Sequence, residues 1–191
     1  MTTAPALPAT TLAGGCYGAM FAGCTGITEV PSNYLPITTL ERSCYHGMFN
    51  GCTSLTTAPV LPATTLADYC YDSMFEGCTS LTTAPVLPAI TLAISCYGYM
   101  LRGCTSLTTA PVLPAITLVN GCYDAMFAGC TSLSSITALF TTNIDVNTTY
   151  YTASWVDNVN TEGTFYKNSS ATWGLRGRNG VPYRWTVVDV S

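Results

Sequence analysis

Charge is scarce in this sequence. Only 8% of its residues are Asp, Glu, Lys or Arg, against about 25% in an ordinary soluble domain. Six basic residues face ten acidic ones, for a formal charge of −4, which excludes the basic stripe that nucleic-acid binding requires. Histidine is nearly missing, since His46 stands alone. Acid–base, nucleophilic and zinc chemistry all lean on histidine, and no phosphate loop, G-x-S-x-G or H-E-x-x-H motif occurs. The inventory points away from an enzyme; no catalytic residue, metal ligand or cofactor is assigned. No apolar run approaches the ~18 residues of a membrane span. The opening Met-Thr-Thr-Ala-Pro has neither the charged start nor the apolar stretch of a signal peptide.

What the sequence does have is a repeat. The run Cys-Tyr-x-x-Met-(Phe or Leu)-x-Gly-Cys recurs at Cys16–Cys24, Cys44–Cys52, Cys70–Cys78, Cys96–Cys104 and Cys122–Cys130. The unit is 26 residues long, except that the second copy carries Ser32 and Asn33 as an insertion. A period in this range is the signature of a solenoid, in which each unit buries its apolar face only against its neighbours. An apolar content of 48% with a Thr-rich remainder fits such a continuous core.

One unit, Leu55 to Ser80, sets the expectation for all. Leu55, Ala58 and Val60 read as an apolar alternation ending in a short strand, with Thr57 and Pro59 pointing outward. Proline cannot donate to a sheet ladder, so the strand is expected to be only about two to four residues long. Asp68 to Phe75 reads as one or two helical turns, with Cys70, Met74 and Phe75 at i, i+4 and i+5 on one buried face. Gly77 then supplies a left-handed stop. The expected fold class is an α/β repeat solenoid of short parallel strands and short helical turns. Residues 1–132 form five repeats, and residues 133–191 form a last strand plus a small β-rich cap.

The cysteines fall into two columns, Cys16, Cys44, Cys70, Cys96 and Cys122, and Cys24, Cys52, Cys78, Cys104 and Cys130. The C-x7-C spacing with a single histidine does not suit zinc. Two readings stay open. The columns are ladders of buried thiols, since free Cys is a small and often fully buried hydrophobe, or some members of a column bridge between coils about 5 Å apart. Tyr17, Tyr45, Tyr71, Tyr97 and Tyr123 form a third column, read as packing. The residues flanking the first Cys column differ from unit to unit, and the helical reading places them toward solvent.

The run Gly-Cys-Thr-Ser-Leu-Thr-Thr-Ala-Pro-Val-Leu-Pro at 77–88 and 103–114 resembles the BspA-like, or Treponema-type, leucine-rich repeats of Bacteroidales-type surface proteins. The likeness covers about residues 1–140, and the Cys-Tyr-x-x stretch is an addition to the family's pattern. It implies leucine-rich-repeat-like coils with a parallel sheet on one face. It also implies a cell-surface or extracellular place and a non-enzymatic role in adhesion, with a protein or glycan ligand on a host or neighbouring cell. An alternative is a structural or receptor-binding module of a larger assembly such as a phage virion. Thr2 to Pro8 aligns with the middle of a later unit, which raises the expectation of a fragment, or of self-association through an uncapped first coil.

The period stops after Leu133. Residues 134–191 hold all three tryptophans and four of the six basic residues, and no cysteine. Gly163–Lys167 and Trp185–Asp189 read as strands, with turns at Arg178–Gly180 and Val181–Pro182. The spacing of Trp155, Val159, Gly163-Thr-Phe, Gly180-Val-Pro and Trp185-Thr-Val resembles a short end module found after such repeats. Its expected role is capping. Trp173, Arg176, Arg178, Tyr183, Arg184 and Trp185 mix the residue types enriched at interaction hot spots. They form the candidate binding surface, with aromatic faces suited to sugar rings.

Overall fold

A computed structural model describes residues 2–142 and 149–190. Among the described residues there is no α-helix, and regular structure is limited to three strands and a 3-10 turn at Thr149–Tyr151. The expected helical turns are absent for a reason visible in the backbone. Tyr69, Ser73 and Gly77 have φ of 58°, 54° and 72°. The same every-fourth-residue rule holds for Gly15, Ala19 and Gly23, for Ser43, Gly47 and Gly51, for Ser95, Tyr99 and Gly103, and for Gly121, Ala125 and Gly129. A left-handed residue ends an α-helix, so the Cys-Tyr segment is a chain of four-residue turns.

The hydrogen bonds alternate accordingly. In the third copy the N–H groups of Cys70, Asp72, Met74, Glu76 and Cys78 close turns onto the carbonyls three residues back, at 3.1–3.3 Å. The intervening N–H groups of Tyr69, Tyr71, Ser73, Phe75 and Gly77 donate to Ile94, Cys96, Gly98, Met100 and Arg102 of the next copy, at 2.7–3.1 Å. Every donor of the segment is thereby used. The side-chain period becomes four: Cys70, Tyr71, Met74, Phe75 and Cys78 are each no more than 1% exposed.

On the opposite side of each repeat the expected short strands shrink to isolated parallel bridges, such as Thr3 to Glu29, Thr57 to Thr83 and Thr109 to Ser135. Here Leu55 is buried and Thr57 exposed as expected, but Pro59 and Val60 exchange places. Pro59, Pro85 and Pro111 are buried, whereas Val60, Val86 and Val112 are 53%, 75% and 50% exposed. Pro59, Leu61 and Ala63 are the alternate inward residues. A one-residue change of register sends every intervening side chain to the other face.

The ladder does not end with the period. Strand β1 (Ser135–Ala138) pairs in parallel with β2 (Thr164–Asn168), and β2 with β3 (Thr186–Val190), in the order β1-β2-β3. Ser135 lies opposite Thr164, and Thr164 opposite Thr186. Ser135 also bridges back to Thr109, so this open parallel sheet continues the bridges of the repeats. On the turn side, Tyr123, Ala125, Phe127 and Gly129 donate to Tyr151, Ala153, Trp155 and Asp157. Ser154 and Asn158 keep the four-residue rhythm of positive φ. One hydrophobic core runs from Phe21 to Trp185.

One substitution tests the left-handed backbone, because in a right-handed helix interior a glycine-to-alanine change would instead stabilise by up to ~1 kcal/mol. Here a Cβ on Gly77 meets nothing closer than Gly51 Cα at 3.7 Å, but φ is +72°. We expect Gly77→Ala to destabilise by ~1–2 kcal/mol through the left-handed backbone alone. The readout is the urea midpoint at unchanged m-value.

Candidate functional site

The interior is built from columns. The ring centroids of Tyr45, Tyr71, Tyr97 and Tyr123 follow one another at 5.9–6.1 Å with interplanar angles of 5–12°, the offset stacking that aromatic rings favour. The hydroxyls of Tyr71, Tyr97 and Tyr123 are buried with no hydrogen-bond partner among the described residues. The second cysteine column has a more specific role. The thiols of Cys52, Cys78, Cys104 and Cys130 donate to the carbonyls of Phe21, Phe49, Phe75 and Leu101 at 3.0–3.2 Å. Those carbonyls already accept one backbone N–H each, for example from Cys52 to Phe49. The thiol occupies the remaining lone pair. All ten cysteines are free; eight are buried, Cys24 is half-buried and Cys16 is exposed. Burial pushes the thiols of Cys44 and Cys52 up to about 11, and those of Cys70, Cys78, Cys122 and Cys130 up to about 12. These are packing groups held in the neutral form.

The variable positions beside the first cysteine column form a polar ridge whose members are largely tied to one another. Asp72 lies 3.0 Å from Nδ1 of His46 and accepts from the Ser73 hydroxyl at 3.1 Å. Burial raises the Asp72 carboxyl above its ordinary value, against the lowering effect of His46. Glu76 joins Asn50 and Arg102, each at 3.2 Å. The Tyr99 hydroxyl reaches Asp124 at 3.5 Å, and burial is the first cause of that carboxyl's raised pKa. Among the described residues no cluster of three metal-ligating side chains occurs.

The exception is a groove at the C-terminal end. It has a volume of about 570 Å³ and lies between the stretch 156–161 and the loop 175–184. Backbone and side-chain bonds fix both walls. The turn Gly177–Gly180 closes at 3.0 Å, and Gly177 donates to Val181 at 2.8 Å. Asn179 accepts from the Thr152 hydroxyl through its carbonyl and from the Ser154 N–H through Oδ1, at 2.8 and 2.7 Å. The indole of Trp155 donates to the Gly180 carbonyl at 2.9 Å, and that of Trp185 to the Asn160 carbonyl at 2.8 Å. Gly180 has to be glycine, because a Cβ would lie 2.2 Å from the Leu175 carbonyl oxygen.

Four of the six residues of the candidate surface line this groove: Arg176, Arg178, Tyr183 and Arg184. The other two belong to the core. Trp185 is 3% exposed, and Trp173 is half-buried, stacked on Phe140 at 4.4 Å and 19°. The arginines are set apart electrostatically. Arg102 pairs with Glu76, Lys167 with Asp189, and Arg42 sits over the Tyr69 ring. Among the described residues no carboxylate lies within ion-pair distance of Arg176, Arg178 or Arg184. Arg176 does donate to the Trp185 carbonyl at 3.4 Å. Val156, Val159, Leu175, Gly177 and Pro182 also line the groove, and Asp157, Asn158, Asn160, Thr161 and Asn179 are its other polar residues. Sequence reasoning passes over them, and the only trace is a local richness in Asn between two runs of aromatics.

Two outcomes follow from the columns. A thiol that titrates near 11–12 when folded and at 9.0 when exposed loses its proton on unfolding anywhere between those values. The stability it contributes is therefore full below pH 9 and falls as pH rises through the folded value, by ~1.4 kcal/mol per pH unit for each such thiol. We expect a steep alkaline collapse above pH 9, followed by circular dichroism under reductant, that shifts upward when Cys78 is replaced by Ala in a chain compared at matched neutral stability. Tyr97→Phe removes a buried hydroxyl that has no partner among the described residues. It should leave the thermal midpoint equal or higher, where loss of a satisfied hydroxyl would lower stability by ~1 kcal/mol.

No protein-family model matches the chain, and no curated protein or solved structure matches it.

Proposed function

We propose that this chain is a BspA-like leucine-rich-repeat solenoid that works without catalysis, as a binding surface for a protein or glycan at a cell surface or outside the cell. The observation that carries the reading is the distribution of cations. Half of the six basic residues line one groove without a carboxylate partner among the described residues, while the charged ridge of the repeats is satisfied internally. Unpaired arginines beside an exposed tyrosine are the composition of a recognition patch. Packed columns of Cys, Tyr, Met and Phe give that patch a rigid base, which keeps the ordering cost of binding low.

The test is retention of the 191-residue chain on arrays of mucins, extracellular-matrix proteins and whole bacterial surfaces. We expect binding to at least one, lost in the triple Arg176→Gln, Arg178→Gln, Arg184→Gln variant and kept in Arg42→Gln. A chain that binds none of them, yet multiplies its mass in light scattering, would be an assembly module and would overturn the adhesion reading.

A further inference from the structure

The groove at the C-terminal end also says what kind of ligand it would take. We propose that it binds an acidic carbohydrate, a short glycan whose sugar ring carries a carboxylate or a sulfate. The inference rests on the adhesion reading and narrows it to one ligand class.

The first argument is the sign of the hydrogen-bonding groups. Arg176, Arg178 and Arg184 can only donate. The amide oxygens of Asn179 and Asn160 are already occupied, by the N–H groups of Ser154 at 2.7 Å and Glu162 at 3.2 Å. Those bonds fix which way each amide points and leave its NH2 as the atom available to a ligand. Asp157 is the one acidic lining residue among the described residues, so beside the apolar Val156, Val159, Leu175 and Pro182 the polar part of the wall is rich in donors and carries a net positive charge in a chain of net −4. A complementary ligand is an acceptor-rich anion. Guanidinium forks bind carboxylate and sulfate oxygens in pairs.

The second argument is the ring. Tyr183 is 80% exposed. A Cβ on Gly177 would lie 2.9 Å from Tyr183 Cε2 and 3.0 Å from its Cζ and hydroxyl oxygen, so the end of the ring lies beside the glycine backbone and most of the ring is open to a ligand. An exposed aromatic ring beside donors accommodates the apolar face of a pyranose. An inorganic anion would have no use for it.

The third argument is size. About 570 Å³ falls within the ~300–1,000 Å³ of small-molecule sites. That suits one to three sugar residues. A nucleic acid would need a longer basic track.

The experiment is titration of the intact chain by calorimetry, with ligand-observed NMR, against four probes: 3′-sialyllactose, a uronic-acid disaccharide, a sulfated disaccharide and neutral lactose. We expect saturable binding of at least one acidic probe, weakened by salt, with no binding of lactose. The response to the carboxylated and the sulfated probes says which anion is preferred. Arg178→Gln and Arg184→Gln should each weaken binding at least ten-fold with the thermal midpoint unchanged. Tyr183→Ala should do the same and Tyr183→Phe should restore it. Equal binding of lactose, full competition by inorganic sulfate at the same concentration, an acidic peptide bound in place of every glycan, or unchanged affinity in the arginine variants would each overturn the proposal. A chain retained on mucin as strongly after enzymatic removal of sialic acid and sulfate would sink this inference and leave the adhesion reading standing.

Discussion

The rest of the structure depends on a division of labour among backbone N–H groups. In each Cys-Tyr segment alternate donors close a turn three residues back, and the others reach across to the next repeat. That alternation requires a left-handed residue at every fourth position, and it converts a helical-looking stretch into one that hydrogen-bonds sideways. An α-helix satisfies its own backbone and joins its neighbours only through side chains. Here the backbone itself is the joint. Repeats held in this way have a fixed spacing and register, so each residue type falls against its counterpart in the next repeat.

The columns follow from that register. Where a position recurs beside itself, its side chain has to pack against a copy of itself. Tyrosine rings do so by offset stacking at about 6 Å. Cysteine does so because it is small and also carries a weak donor. The carbonyl of Phe49 holds the Cys52 N–H and, on its other lone pair, the Cys78 thiol. Alanine would leave part of that space empty and the lone pair unused. Serine would offer a stronger donor at a higher desolvation cost. The preceding glycine meets the same demand from the backbone side. Gly51, Gly77, Gly103 and Gly129 all have φ near +70°, and the Cα atoms of neighbouring glycines line the path that each Cβ would take, at 3.6–3.7 Å.

Much of this was legible in the chain, and the failures have physical causes. The repeat length, the buried thiols' neighbours and the two strands near Gly163 and Trp185 can be read from spacing alone. The helical reading of Asp68 to Phe75 fails because i, i+4 and i+5 suit a period of 3.6 and a period of 4.0 equally well over eight residues. The distinguishing signal would have been left-handed residues at 69 and 73, but those positions are Tyr and Ser, which do not announce a positive φ as glycine does. The strand reading puts Val60 inside and Pro59 outside because valine is the more apolar of the two side chains. The backbone inverts them, since Leu61 and Ala63 fix the inward register. Residues 151–158 repeat the turn geometry with none of its cysteines, so only the hydrogen bonds to Tyr123 through Gly129 reveal them. At the groove, Arg176, Arg178, Tyr183 and Arg184 share one lining, whereas Trp185 is buried in the core and Trp173 packs half-buried against it.

The scarcity of charge and the place of the arginines have one explanation. In a stack of repeats a charged residue kept at one position would sit beside its own copy in the next repeat, and like charges facing each other across paired strands are destabilising. The sequence obeys this rule throughout the repeats. The column of Glu76 runs Ala22, Asn50, Glu76, Arg102, Ala128, and that of Asp72 runs Gly18, His46, Asp72, Gly98, Asp124. Opposite charges or a neutral residue always intervene, and Gly98 leaves the room into which the Asp72 carboxylate leans, since a Cβ there would lie 2.7 Å from its Oδ2. A cluster of like charges can therefore be built only where the chain stops repeating. Arg176, Arg178 and Arg184 lie there, between walls of unequal length and sequence, and the same constraint that keeps the repeats nearly neutral confines a cluster of like charges to the end.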